Sequence, residues 1–394
     1  MSFKRFFARI ILFTVFILPM IFLPFLRDPF GLPRVSVLRL ATVVLLIGFL
    51  SGVLKFKMRD KKDVYVMSFL VLNFISIFFS KSPFLALWGR YFFYFGGFLQ
   101  VFCMVVFYFA VRSLRREIYK RMKKVVIWVL FFVSSYAVMQ LLNFDFVKWD
   151  FDFGRVFSTF GNPDFFAGFL VLAILFVSEE CFKVKSIFSV FVYIFSILVL
   201  MFTKTRAGWL GFLAGWSLFL FPEKKYLTEK NDDSQDVIKN NFWIKLLPII
   251  LVLLFIFFGG RKWSPSTAGI SSRLICWKET IKLISKKPVM GYGLESYAEV
   301  ITEFIPVKYE KLTKKHGTPG YAHNIFLDIT FATGIIGLGI FILILIEFFR
   351  QTKNRGLKSA VFGFLIFGLF SICDLTCWFY FWIFLGLDEE KEVL

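Results

Sequence analysis

Only two histidines, His316 and His323, give this chain any imidazole chemistry, and His323 stands where a long polar stretch meets an apolar run, with Asn324 beside it. An imidazole titrates near neutral pH, so at such a boundary it can take a proton from a hydroxyl that is about to attack. Two arginines stand out for the company they keep. Ser271 and Ser272 can cap a helix whose first turn then holds Arg273, where free N–H groups already favour an anion and a planar guanidinium can hold phosphate oxygens in pairs. Arg206, in Thr205-Arg206-Ala207-Gly208, opens an apolar run at a depth where an arginine costs free energy unless it snorkels or finds a partner. Each residue also has a plainer reading: a helix cap or interface residue for His323, simple snorkelling for Arg206.

The elements that must position these residues are membrane helices. Of 394 residues 58% are hydrophobic, and they fall in long blocks, among them Ile10–Leu26, Val64–Phe79, Phe92–Val111, Val125–Leu142 and Phe242–Phe258. Each is near the roughly 20 residues a spanning helix needs, and none alternates as a barrel strand would. The pattern predicts an all-α polytopic membrane protein of about 12 transmembrane helices, with no internal repeat and no low-complexity linker. The first block follows Lys4, Arg5 and Arg9 but lacks a cleavage site and contains Pro19 and Pro24, so it reads as a span rather than a signal peptide. The five cysteines form no C-x-x-C pair, which argues against a disulfide framework or a zinc site. Cys373 and Cys377 share a face if their helix is unbroken, most simply as small core residues.

A net charge of +20 would suggest nucleic acid in a soluble protein. Here the basic residues sit in alternate short connections (Lys55–Lys62, Arg112–Lys124, Lys224–Lys230, Arg350–Lys358), which the positive-inside rule assigns to the cytoplasm. No nucleic-acid partner is expected, and both termini are expected in the cytoplasm. The chain thus divides into spans 1–9 over residues 1–258, an outward loop subdomain over 259–322 ahead of the tenth span, and spans 10–12 with a short tail over 323–394. Within that loop Leu274, Trp277, Ile281 and Ile284 recur at helical spacing while Lys278, Lys282 and Lys286 step along another face, as in a helix lying on an anionic membrane surface. Pro288 then ends the helix, and Gly291 and Gly293 permit a tight turn. Ser359–Leu387 is long enough for two short spans, with Asp374 near the turn between them.

Several stretches together resemble the superfamily of O-antigen ligases, O-antigen polymerases and protein O-oligosaccharyltransferases. His323-Asn324, nine residues, Gly334, two residues, then Gly337 is similar to the ligase pattern H-[NSQ]-x9-G-x2-G. Ser272-Arg273, Trp277 and Pro288-Val289-Met290-Gly291-Tyr292-Gly293 resemble the family's arginine, tryptophan and P-x-x-G-x-G loop. Thr205-Arg206-Ala207-Gly208 stands where relatives have Ser-Arg-Gly or Ser-Arg-Thr. The run Arg155 to Asn162-Pro163 looks like R-x-x-[ST]-x-F-x-N-P-N with Asp164 in place of the usual asparagine, and Trp88-Gly89-Arg90 also recurs.

The resemblance implies inverting, metal-independent glycosyl transfer on the periplasmic face of the bacterial inner membrane, with no cofactor. The donor would be an undecaprenyl diphosphate-linked glycan, and the acceptor a hydroxyl of lipid A core, another glycan or a protein. His323 would be the general base, while Arg206, Arg273 and Arg155 would meet the diphosphate, with Asn324 and Asn162 in support. The H-N-x9-G-x2-G match points to a ligase ahead of a polymerase or a protein oligosaccharyltransferase. A transporter or flippase for lipid-linked glycan, the reading from another class, predicts inverted repeats and mid-membrane charge, which the sequence does not offer.

Overall fold

The computed structural model describes residues 3–149, 154–182, 186–220, 267–304 and 319–387. Among these residues there is no strand. The helices are α1 (Phe3–Met20), α2 (Gly31–Leu50), α3 (Lys61–Ser76), α4 (Pro83–Trp88), α5 (Phe98–Leu141), α6 (Pro163–Phe182), α7 (Ile187–Phe202) and α8 (Arg206–Leu220). They continue with α9 (Thr267–Lys286), α10 (Tyr297–Thr302), α11 (Ile325–Gln351), α12 (Arg355–Gly368) and α13 (Leu375–Gly386).

Among the described residues five helical stretches are long and apolar enough to cross a membrane: Gly31–Leu50, Lys61–Phe79, Phe98–Arg115, Glu117–Leu141 and Ile325–Gln351. The two within α5 meet at Leu114, whose non-helical backbone breaks what would otherwise be a single 44-residue helix. α7 and α13 are apolar but shorter. The block Phe242–Phe258, Lys224–Lys230, His316 and much of the expected outer loop lie outside the described residues.

The bundle is built round α6. A helix that is apolar on all sides belongs inside, and Phe165 through Ser178 are buried without a break. α5, α7, α8, α12 and α13 pack on it, and α3 packs along α11. Side-chain bonds tie the connections together at the two ends. At one end Arg112 pairs with Asp60 at 2.7 Å, Lys62 donates to Leu385 O at 3.0 Å, and Asn354 reaches Tyr119 at 2.6 Å and Glu179 at 3.0 Å. The basic stretches expected in the cytoplasm that the structure describes converge there. At the other end Arg34 of α2, 2% exposed, meets Asp374, the N-cap of α13, at 2.7 Å, donates to Thr159 O at 2.7 Å and lies over Phe160. A charge so deeply buried needs this degree of satisfaction to be tolerated.

Three local expectations are corrected. α9 begins at Thr267, so Ser271 and Ser272 lie inside it and do not cap it, and Arg273 is in its second turn, beyond the free N–H groups of the first. The apolar stripe of α9 is divided: Trp277 and Ile284 pack inward against Leu283, Tyr297 and Ala322, whereas Leu274 and Ile281 are exposed. Cys373 precedes α13 and Cys377 lies within it, so the two do not share a face of one helix.

Candidate active site

All six non-glycine residues with positive φ among the described residues lie in connections at the end of the bundle where Arg34 meets Asp374: Phe92, Asn143, Ser158, Lys204, Glu295 and His323. Such conformations cost of order 1–3 kcal/mol each and persist only where surroundings over-determine them. His323 is one of them, at φ 57°. It precedes Asn324, whose Oδ1 accepts from Phe326 N at 3.0 Å and Leu327 N at 3.1 Å and so starts α11.

Two sequence motifs far apart in the chain prove to be halves of one interlock. α11 breaks at Gly334, φ 68° and ψ −170°. An unbroken helix would bond Ile335 N to Phe331 O. Here Ile335 N donates to Pro288 O at 2.8 Å, and Phe331 O accepts from Tyr292 N at 2.8 Å; Gly293 N adds a bond to Ala332 O at 3.0 Å. The Pro288–Gly293 turn therefore satisfies the backbone groups that the break frees, as helix breaks in lipid require. Tyr292 also stacks on Phe331 at 4.8 Å. Neither side admits a Cβ: one on Gly291 would come 2.5 Å from Phe331 O, and one on Gly334 would strike the Val289 carbonyl and come 2.6 Å from Met290 N. This is why both motifs carry glycines.

The interlock brings α9 against the start of α11. Trp277 Nε1 donates to Ala322 O at 2.9 Å, and Arg273, one turn earlier on the same face, acts electrostatically on His323. Burial first, and the Arg273 charge second, push the His323 imidazole down to about 4, while the Asp164 carboxylate opposes them. Asp164 Oδ1 also accepts from Arg155 Nη2 at 2.8 Å and Thr205 Oγ1 at 2.9 Å. Of the residues singled out in the sequence, then, His323 and Arg273 come together, and Arg155 joins them through Asp164. Arg206 opens α8, exposed, next to Thr205; neither it nor Arg273 forms an ion pair among the described residues. Asn162 Oδ1 accepts from Asp164 N at 2.8 Å and shapes that turn.

Sequence reasoning passed over several residues here. Glu295, almost wholly buried, accepts from Tyr321 OH at 3.0 Å and pairs with Arg90 at 3.5 Å. Burial pushes the Glu295 carboxyl up despite Tyr321 and Arg90, and burial and then Glu295 hold the Tyr321 hydroxyl well above its usual range. Asp328 accepts from Ala322 N at 2.7 Å. Glu295, Tyr321, Asp328, Asn73 and Thr333 contribute polar groups to the lining of a largely apolar cavity of ≈ 130 Å³. An acid in the first turn of an apolar helix was the available signal for Asp328; nothing in sequence spacing connects Arg90 with Glu295. No group of three or more His, Cys, Asp or Glu is arranged for a metal among the described residues.

The described helices and this end of them define an all-helical membrane protein with a shielded imidazole within electrostatic reach of an arginine. Residues 191–342, which contain Arg206, Arg273 and His323, match the family described as O-antigen ligase, in keeping with the resemblance that the motifs carry. It is 25% identical over 221 residues to a Rickettsia typhi protein named as a polysaccharide ligase, covering 52% of this chain and 50% of that one. It is 24% identical over 315 residues to a Rickettsia bellii protein of the same description, covering 73% and 70%. To the ComP-specific O-oligosaccharyltransferase of Acinetobacter baylyi it is 28% identical over 212 residues, covering 51% and 37%. The chain spans about half the length of several of the curated relatives it matches.

Proposed function

We propose that this protein transfers a glycan from undecaprenyl diphosphate to an acceptor hydroxyl at the outer face of the bacterial inner membrane, in the manner of an O-antigen ligase. The observation that carries the reading is His323: a largely unprotonated imidazole facing Arg273, inside the segment that matches the ligase family. In the reaction, His323 takes the proton of the acceptor hydroxyl as its oxygen attacks the anomeric carbon from the side opposite the diphosphate. The bond from that carbon to the diphosphate oxygen breaks, and the leaving lipid diphosphate keeps the electron pair. Arg206 and Arg273 stabilise its charge, with Arg155 further out because Asp164 already engages it. Asn324 and Asn162 hold the turns that carry His323 and Asp164. Chelators leave the transfer unchanged.

The fold that serves this chemistry is a bundle of about twelve spans, with both termini in the cytoplasm and residues 259–322 as an outward subdomain. A reporter fused at Lys311 that proved cytoplasmic would overturn that orientation. The name of the Acinetobacter relative favours one second reading, a protein as acceptor.

The test is transfer in proteoliposomes with purified protein and a lipid diphosphate-linked glycan, offering lipid A core, a second carrier-linked glycan or an acceptor protein in parallel, beside His323→Ala. Product on one acceptor, absent in the variant, supports the reading and names the branch. Donor crossing the bilayer with no product on any acceptor overturns it in favour of transport.

A further inference from the structure

The segment 321–324 is held more tightly than a loop requires. Both polar backbone atoms of Ala322 are taken by side chains from different elements: its N–H by Asp328 Oδ1 of α11 at 2.7 Å, its carbonyl by Trp277 Nε1 of α9 at 2.9 Å. Tyr321, one residue earlier, is tied through its hydroxyl to Glu295 at 3.0 Å and 3.2 Å. Asn324, on the other side of His323, is fixed by its cap bonds. Between these ties sits His323, at a left-handed φ of 57° that a non-glycine residue keeps only under constraint.

We propose that Asp328 and Trp277 are positioning residues that grip Ala322 from opposite sides and so hold the His323 imidazole in its left-handed turn, at a set place relative to Arg273. The inference rests on His323 acting as the base. Asp328 contributes through a hydrogen-bond acceptor, and neither residue touches the reacting atoms. Trp277 has a second consequence, because its bond is the direct tie between the helix that bears Arg273 and the residue before His323. Loosening it frees the base and also lets the cation that meets the leaving group drift from the base.

The variants are Asp328→Ala, which removes the acceptor, Asp328→Asn, which keeps an Oδ1 acceptor of the same reach, and Trp277→Phe, which removes only the indole N–H. Two readouts are taken on monodisperse protein: kcat against donor KM, and the rate at which diethylpyrocarbonate modifies His323. The second is read in a His316→Gln background, where His323 is the sole histidine.

Misplacing a reacting group by about 1 Å can lower a rate by ~10²-fold, so Asp328→Ala is expected to lose on the order of 10²-fold in kcat with donor KM within about threefold. Its imidazole is modified severalfold faster, while Asp328→Asn stays close to wild type in both. Trp277→Phe raises the modification rate likewise and also raises donor KM. Should Asp328→Ala not accumulate as folded protein, Trp277→Phe decides. A folded Asp328→Ala or Trp277→Phe with wild-type kcat and modification rate overturns the proposal, as does Asp328→Asn as impaired as Asp328→Ala. If wild type itself transfers nothing, the functional reading falls, and the modification rates still decide whether Ala322 is the grip on His323.

Discussion

Replacing Arg273 with glutamine should move the acid limb of the transfer reaction, and the structure sets its direction and rough size. His323 stands near pH 4 in the free protein, against an ordinary 6.5. That difference, 6.5 − 4, corresponds to roughly 3 kcal/mol working against the imidazolium. Burial is the larger cause and Arg273 the second, so removing the cation raises the midpoint but by less than burial lowers it, and the ordinary value is not regained. A base must be neutral to accept a proton, so kcat/KM, which reports the free protein, should hold as pH falls and be lost only near pH 4 in the wild type. In the donor complex the diphosphate offsets Arg273 and faces the imidazole with negative charge. The limb of kcat should therefore lie above that of kcat/KM, and Arg273→Gln should raise the lower limb and narrow the gap. Asp164→Asn, which removes the opposing carboxylate, should move the limb of kcat/KM down. The assay is initial transfer rate against pH in nanodiscs, with donor concentration varied at each pH and folding checked by gel filtration. A wild-type limb of kcat/KM at the ordinary histidine value, or one that Arg273→Gln leaves in place, would refute the electrostatic link between the two residues.

Gly334→Ala places a Cβ against the Val289 carbonyl in a positive-φ, extended conformation that is essentially glycine-only and alone costs about 1–3 kcal/mol, so its melting temperature in detergent should fall clearly. Gly339→Ala, in the same helix with open space around it, should be neutral or slightly stabilising; equal loss in both would discredit the interlock. Arg206→Ala should weaken donor use while leaving thermal stability unchanged, because its side chain is exposed and forms no ion pair among the described residues; a stability loss would show a structural role instead. Asp374→Ala strands the buried Arg34 guanidinium and should cost about 3–5 kcal/mol, whereas changing both partners to apolar residues of similar volume should cost far less. Denaturation of the two variants side by side checks this, and equal losses would contradict it.

What could be read from the chain divides by the range of the interaction. The apolar blocks that fall within the described residues, the Arg206 helix start and the Pro288 stop depend on neighbours a few residues away, and the structure places them close to where the sequence does. The cap signal of Ser271 and Ser272 does not mark the beginning of α9, which lies four residues earlier at Thr267, because cap propensity is worth only about 1 kcal/mol and does not by itself decide where a helix starts. Pairings across the bundle were out of reach: Arg34 and Asp374 lie 340 residues apart, Arg90 and Glu295 lie 205 apart, and no periodicity relates them.

The glycine motifs fall between these cases. Read as a string, P-x-x-G-x-G is a turn and G-x2-G a helix with small residues. Their meaning is joint, since Gly334 breaks α11 so that Phe331 O and Ile335 N face outward, and Gly291 and Gly293 let the turn come close enough to take up the groups freed by the break. The break lies three turns below His323, and the turn that fills it begins two residues after α9 ends. Docking the turn therefore fixes α9 along α11, which brings Trp277 to Ala322 and Arg273 within electrostatic reach of His323. Base and cation thus come from segments some fifty residues apart in sequence, and the shared backbone pairing at Gly334 lets a single rigid joint set their separation.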